Sequence, residues 1–178
     1  MSRRRTGLFS KVDFKLMSLC MGLSRRSIDL EGKLRASGVK QGQTVLDFGC
    51  GPGYFTIVAA RTVGERGRVY ALDVHPLAIE AVEEKARKGG LSNITTVLSD
   101  RDTGLPDGSV DVVLLYDTIH QIEDKQALLG ELDRVLKAGG VLSIWVEHGG
   151  GNDVAEVVQD CSRFSLKERR EDILNFVR

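Results

Sequence analysis

The chain has 178 residues, 42% hydrophobic and 28% charged, with 25 Lys plus Arg set against 25 Asp plus Glu. That length suits one domain with a single core, because domains commonly run to about 100–150 residues and divide beyond about 250. The balanced charge gives no global field to draw nucleic acid or an anionic membrane, so neither is expected as a partner. No run of 18 apolar residues is long enough to cross a bilayer. The basic start, MSRRRTGLFSKVDF, lacks the apolar core and cleavage site of a secretory signal. A cytoplasmic location is expected.

Residues 1–40 hold two weakly helical stretches, Phe14–Leu23 and Ser27–Ser37, and no strand pattern. They form an N-terminal helical segment, expected to serve either as a lid or as a plain packing helix. From residue 41 onward strands and helices alternate. Thr44–Phe48 is a β-branched run ending in GCGPG, and Tyr54–Val63 follows as a helix. Arg68–Leu72 is the next strand. Pro76 suits the first turn of a helix that runs to Lys88, where Gly89 and Gly90 stop it. Ile94–Leu98 and Val110–Tyr116 are further strands, the second almost wholly apolar, as a strand covered on both faces should be. Lys125–Leu136 is an amphipathic helix, closed by a KAGG turn that feeds strand Val141–Val146. A short helix, Asp153–Asp160, precedes two strands, Phe164–Arg170 and Ile173–Val177, joined tightly at Glu171 and Asp172. The pattern predicts an α/β fold: a Rossmann-like, seven-stranded, mostly parallel sheet with an antiparallel C-terminal hairpin and helices on both faces.

The chemistry concentrates in VLDFGCGPGYFT, where Asp47 stands two residues before the first of three alternate glycines, Gly49, Gly51 and Gly53. A strand-to-helix turn needs glycine where φ is positive or where a ligand approaches the backbone too closely for a Cβ. Dinucleotide-binding loops carry a GxGxxG with different spacing, and they face a pyrophosphate that Asp47 would repel. Asp73 ends the second strand about twenty residues further on, where a carboxylate can accept from both hydroxyls of a ribose. The cysteines Cys20, Cys50 and Cys161 are widely spaced, odd in number and without a His cluster, so all three read as free thiols and no metal is expected.

The acid followed by GxGxG at the end of the first strand resembles the first motif of the class I S-adenosylmethionine-dependent methyltransferases. The resemblance runs from about Gly38 to the C-terminus and is strongest to the ubiquinone and menaquinone biosynthesis-like (type 11) group. It implies S-adenosylmethionine as cofactor and S-adenosylhomocysteine as product, with residues 41–178 as the binding domain. By the same resemblance Asp47 helps hold the methionine ammonium, and Gly49, Cys50, Gly51 and Gly53 pass along the methionine portion. Asp73 would take the ribose and Val74 would pack on adenine. Asp100, with Arg101 beside it, would take the adenine amino group, unless Asp100 instead caps the turn Asp102–Gly104. Backbone groups of Tyr116 would lie near the methionine.

Residues just past the fourth strand line the transfer pocket in this family, which makes Asp117 and His120 candidates for catalysis, with His148 after the fifth strand as a third. An imidazole there would accept a proton near neutral pH. The alternative for His120 is a partly buried histidine packed under the next helix. LYDT stands where amino methyltransferases of nucleic acid carry an NPPY-type motif, so base methylation is disfavoured, and a small-molecule acceptor is expected. Two other classes remain open: a non-catalytic cofactor-binding or scaffold protein, and, disfavoured by Asp47 and the glycine spacing, an NAD-dependent oxidoreductase. The acceptor and the oligomeric state are not encoded in any motif.

Overall fold

The structure is a computed structural model and describes residues 28–145 and 151–178. Seven strands, β1 (Thr44–Phe48), β2 (Arg68–Asp73), β3 (Ile94–Leu98), β4 (Val110–Tyr116), β5 (Leu136–Trp145), β6 (Ser165–Arg170) and β7 (Ile173–Val177), form one sheet in the order β3-β2-β1-β4-β5-β7-β6. The first five run parallel, and β7 lies antiparallel between β5 and β6. This is the expected architecture.

Five α-helices lie among the described residues: α1 (Leu30–Ser37), α2 (Tyr54–Val63), α3 (Pro76–Lys88), α4 (Lys125–Val135) and α5 (Gly151–Asp160). Their starts follow from local chemistry. Asp29 accepts the Gly32 N–H at 2.7 Å, and Asp124 accepts that of Ala127 at 2.9 Å, each filling a donor that the first helical turn leaves open. His75 does the same for Leu77 through Nδ1, ahead of Pro76 at the first helical position. α1 ends on Gly38 in the left-handed region, φ 80°.

Alternate residues of the central strands feed two cores, one on each face of the sheet. Val45, Val69, Val112 and Leu114 pack with Phe55, Ala59 and Leu34 on the side of α1 and α2. Leu46, Phe48, Val113 and Leu115 pack with Leu128, Leu129 and Leu132 of α4 on the other. Leu34 is 1% exposed, so Leu30–Ser37 of the N-terminal segment is part of the sheet's cover. The stretch Phe14–Leu23, also expected to be helical, lies outside the described residues.

Several boundaries differ from the sequence pattern. α4 stops at Val135, and KAGG is no turn between elements but an irregularity inside β5. Val110 pairs with Leu136 and Val112 with Val141, so Lys137–Gly140 bulges out of register, with Gly139 at φ 74°. The last helix begins at Gly151, two residues earlier than expected, and β6 begins at Ser165, one residue later.

Candidate active site

All the parallel strands point their carboxyl ends to one edge, where open α/β sheets bind ligands at the point of strand-order reversal. Here that point lies between β1 and β4, and the glycine loop sits on it. Gly49 and Cys50 both donate their N–H to the Leu72 carbonyl, at 2.8 and 2.9 Å, which folds the loop back over β2. Gly49, Gly51 and Gly53 have φ of 74°, 52° and 82°, all in the left-handed region. Their surroundings differ. A Cβ on Gly49 would stand 2.4 Å from the Thr118 hydroxyl oxygen and one on Gly53 2.7 Å from Val82, whereas nothing lies within 4 Å of one on Gly51. Gly51 therefore faces open space, and the outer two glycines admit protein neighbours.

The carboxylates divide into buried and edge positions. Asp47 is 2% exposed, and its Oδ2 accepts the Thr56 hydroxyl at 2.6 Å, tying β1 to α2. Asp73 is half-buried and holds two loops at once, accepting the Gly51 N–H on Oδ2 and the His75 N–H on Oδ1, each at 2.8 Å. Its oxygens keep lone pairs for further donors. Beside it Val74 is 68% exposed, and Leu98, at the end of β3 and in register with Asp73, is 57% exposed. Two apolar side chains thus flank the strand ends where a planar group would lie. Leu98 was not singled out from sequence; its signal is an apolar residue closing a strand directly before Ser99 and Asp100.

Asp100 and Arg101 are exposed on the following loop, with Arg101 3.8 Å from Asp124. The capping alternative for Asp100 does not hold: Asp102 itself accepts the Gly104 N–H at 3.0 Å, and Ser99 accepts that of Arg101 at 3.3 Å. Cys50 turns its side chain inward against Ala71 and Val82, where burial pushes the thiol well up, so only its backbone faces the loop's outer side. Lys85 of α3 donates to the Pro52 carbonyl and lies 4.4 Å over the Tyr54 ring; burial lowers its pKa. That contact fastens α3 to the glycine loop, and no local sequence pattern announces it.

At the end of β4, Tyr116 sends its ring into the core, 4.7 Å edge-on from Phe55, with its hydroxyl 3.1 Å from Ser143. Burial pushes the phenol up, and only the backbone of Tyr116 reaches the edge. Its carbonyl accepts the Thr118 hydroxyl at 3.0 Å, the same side chain that covers Gly49. Between them Asp117 is held at φ 54°, unusual for a residue with a Cβ, by donating its N–H to the Trp145 carbonyl at 2.8 Å. Asp117 Oδ1 lies 3.9 Å from His120 Nδ1. His120 is half exposed and sits in a 3₁₀ turn, Ile119–Gln121, so it is not packed under α4; Ile119 takes that place. His148 lies outside the described residues. Among the described residues, no group of three or more His, Cys, Asp and Glu could hold a metal ion.

A glycine cradle open at Gly51, a carboxylate at the end of β2 and apolar side chains beside it are suited to a nucleoside joined to a polar chain. That class is the S-adenosylmethionine-binding Rossmann-like fold, and comparison with known proteins agrees. Residues 39–165 match the methyltransferase domain family, and the chain belongs to that family. It is similar to the demethylmenaquinone methyltransferase of Geobacillus stearothermophilus, 32% identical over 109 residues, 61% of this chain and 47% of that protein. It is also similar to the ubiquinone/menaquinone biosynthesis C-methyltransferase UbiE of Enterobacter sp. (strain 638), 34% identical over 110 residues, 61% of this chain and 44% of that protein. The chain spans about half the length of the curated relatives it matches. Among solved structures, a SAM dependent methyltransferase from Aquifex aeolicus superposes with a TM-score of 0.76 at 29% identity, covering 84% of this chain and 90% of that one. No helix among the described residues is long and apolar enough to cross a membrane.

Proposed function

We propose that the chain transfers a methyl group from S-adenosylmethionine to a small-molecule acceptor. The observation that carries the reading is the cradle itself: Gly51 has open space where a Cβ would stand, and its N–H is held by Asp73, whose oxygens lie beside the exposed Val74. The names of the two curated relatives favour carbon methylation of a quinone-type ring.

In this reading Asp73 accepts the ribose hydroxyls, while Val74 and Leu98 cover the faces of the adenine and Asp100 takes its amino group. The backbone of Gly49–Gly53 and of Tyr116 lines the methionine portion, with Asp47 supplying negative charge behind the ammonium. When bound, S-adenosylmethionine supplies an electrophilic sulfonium methyl, which bonds to the acceptor's nucleophilic atom as the C–S bond breaks and its electron pair stays on sulfur. The protein's own contribution is alignment of the two reactants, which is worth about 7–11 kcal/mol in well-oriented reactions. His120, at the rim 3.9 Å from Asp117, takes the proton that the acceptor loses.

Calorimetric titration with S-adenosylhomocysteine, using NAD as control and repeated on Asp73→Ala, tests the cofactor assignment. Binding to the wild type, its loss in the variant and no heat with NAD are expected. No binding by the folded wild-type chain refutes the proposal.

A further inference from the structure

Thr118 stands where the two halves of the site meet, and it is half-buried. It follows the strained Asp117 directly, with the glycine loop on one side of it and the end of β4 on the other. A Cβ built on Gly49 would stand 2.4 Å from Thr118 Oγ1, 2.5 Å from Cγ2 and 3.0 Å from Cβ, so the whole side chain lies on the Gly49 α-carbon. Gly49 in turn donates its N–H to the Leu72 carbonyl at 2.8 Å. The first glycine of the loop is thus pinned between β2 and Thr118, and only a residue without a Cβ leaves room for that contact.

The hydroxyl acts on the other side. It donates to the Tyr116 carbonyl at 3.0 Å and closes a ring around Asp117. Asp117 has φ 54°, a backbone that a residue with a Cβ adopts only when its surroundings impose it. Two bonds impose it here: the one that Thr118 closes around it, and its own N–H donated to the Trp145 carbonyl at 2.8 Å. A short side-chain hydroxyl bonded to a nearby carbonyl is a local turn-former. The Thr118 carbonyl then accepts the Gln121 N–H at 2.9 Å, which starts the 3₁₀ turn carrying His120. Ile119, 1% exposed, anchors that turn in the core. Asp117 and His120 therefore face each other at 3.9 Å because Thr118 fixes the chain between them.

We infer that Thr118 is a positioning residue with two separable arms: its methyl side holds the glycine loop for the cofactor, and its hydroxyl holds the Asp117–His120 rim where the acceptor's proton leaves. The inference rests on the methyl-transfer reading. Reacting groups lose rate steeply when displaced, a shift of about 1 Å costing about 10²-fold, so one residue that spaces donor and rim bears on both. The arms can be divided because the two branches of threonine differ in chemistry. Valine keeps the shape that covers Gly49 and has no O–H to donate; serine keeps the O–H and lacks the methyl.

Thr118→Val and Thr118→Ser are compared with the wild type as ¹⁵N-labelled full chains, each checked for folding by its melting temperature. One readout is calorimetric titration with S-adenosylhomocysteine. The other is the NOE between the amide and α protons of Asp117, which is strong in a left-handed residue because the two protons are then close. In Thr118→Val the Asp117 NOE is expected to fall to the level of ordinary residues, while S-adenosylhomocysteine binds within about twofold of wild type. In Thr118→Ser the NOE is expected to stay strong, while affinity falls roughly fourfold with the loss of one packed methyl. A weak Asp117 NOE in the wild type, a strong one in folded Thr118→Val, or wild-type affinity in Thr118→Ser overturns the assignment. Equal losses of both readouts in the two variants also overturn it, since they mark a merely structural residue. Thr118→Ala, which lacks both branches, replaces whichever variant does not fold; it is expected to lose NOE and affinity together, and retention of either counts against Thr118. Absence of S-adenosylhomocysteine binding by the folded wild type refutes the methyl-transfer reading, whereas a retained NOE in Thr118→Val refutes the role of Thr118 alone.

Discussion

Substituting the loop glycines one at a time separates what they do for the fold from what they do for a ligand. Gly51→Ala places a methyl in open space at φ 52°, with no protein atom within 4 Å. Its folding cost is therefore the left-handed backbone alone, about 1–2 kcal/mol. At about 2–4 °C per kcal/mol for a chain of this size, the melting temperature drops by roughly 2–8 °C. Gly49→Ala pays the same backbone cost, and its methyl also lands 2.4 Å from Thr118 Oγ1 and 2.5 Å from Cγ2. Thr118 is bonded to the Tyr116 carbonyl and cannot swing aside freely. Overpacking of that kind adds about 1–3 kcal/mol, so Gly49→Ala is the less stable variant. For binding the order reverses in character. A ligand that runs along Gly51 meets the new methyl directly, and a misfit of about 1–3 kcal/mol weakens S-adenosylhomocysteine by roughly 5- to 150-fold. Differential scanning calorimetry reads the first effect, and isothermal titration at a temperature where both variants are folded reads the second. Wild-type affinity in Gly51→Ala would show that no cofactor passes that α-carbon. Equal loss of stability in the two variants would refute the assigned role of Thr118.

Val74→Ser and Leu98→Ser should leave the melting temperature nearly unchanged, since both side chains are exposed, yet each should weaken S-adenosylhomocysteine about fivefold by removing about 1 kcal/mol of apolar contact. Unchanged affinity in both would remove adenine from this edge. Glu131 accepts from the Thr103 N–H and hydroxyl and from Arg134, and the Arg134 hydrogen bond leads in holding its carboxyl at about 2, below the ordinary 4.5. The unfolded chain therefore binds this proton first on acidification, so the stabilisation is full above pH 4.5 and drains as pH falls towards 2. Glu131→Gln should lower the melting temperature at pH 7 and flatten that acid limb; a limb as steep as wild type refutes the assignment. His120→Gln should leave folding and cofactor binding alone but slow single-turnover methylation of a reduced naphthoquinone probe by about 10²- to 10⁴-fold. An unchanged rate excludes His120 as the base.

What the sequence made legible was local. β1, the glycine loop and α2 follow from a β-branched run, three glycines and an apolar helix face within twenty residues, and the same periodicities placed β2, α3, β3 and β4. KAGG misled because two consecutive glycines carry the composition of a turn, whereas tertiary pairing of β5 with β4 on both sides of them makes a bulge. The site was legible where a backbone position demands glycine or a strand end demands an acid. It was not legible where a side chain acts at a distance: Thr118 meets Gly49 across 69 positions, and Lys33 meets Asp172 across 139. Nor does composition tell which way a residue faces, so Tyr116 keeps its backbone at the edge while its ring is spent on the core.

The acids at the carboxyl edge arrive there by different routes. Parallel strands deliver Asp47, Asp73 and Asp117 there because each ends at its carboxyl terminus. Glu171 and Asp172 precede β7, and they arrive only because β7 runs the opposite way, which sets Ile173 against Trp145. A parallel β7 would have started at the far edge and left the indole N–H of Trp145 without its carboxylate. The hairpin therefore supplies a wall that βα loops do not provide, and it does so next to the strand that carries Asp117's hydrogen-bond partner. The donor cradle is fixed by backbone geometry at three glycines, where few substitutions fit. The hairpin side is held by Asp172, whose carboxylate takes the Lys33 ammonium and the Trp145 indole N–H together. The parallel half thus places the glycine loop by backbone geometry, whereas the antiparallel half ties α1 to β5 by side chains.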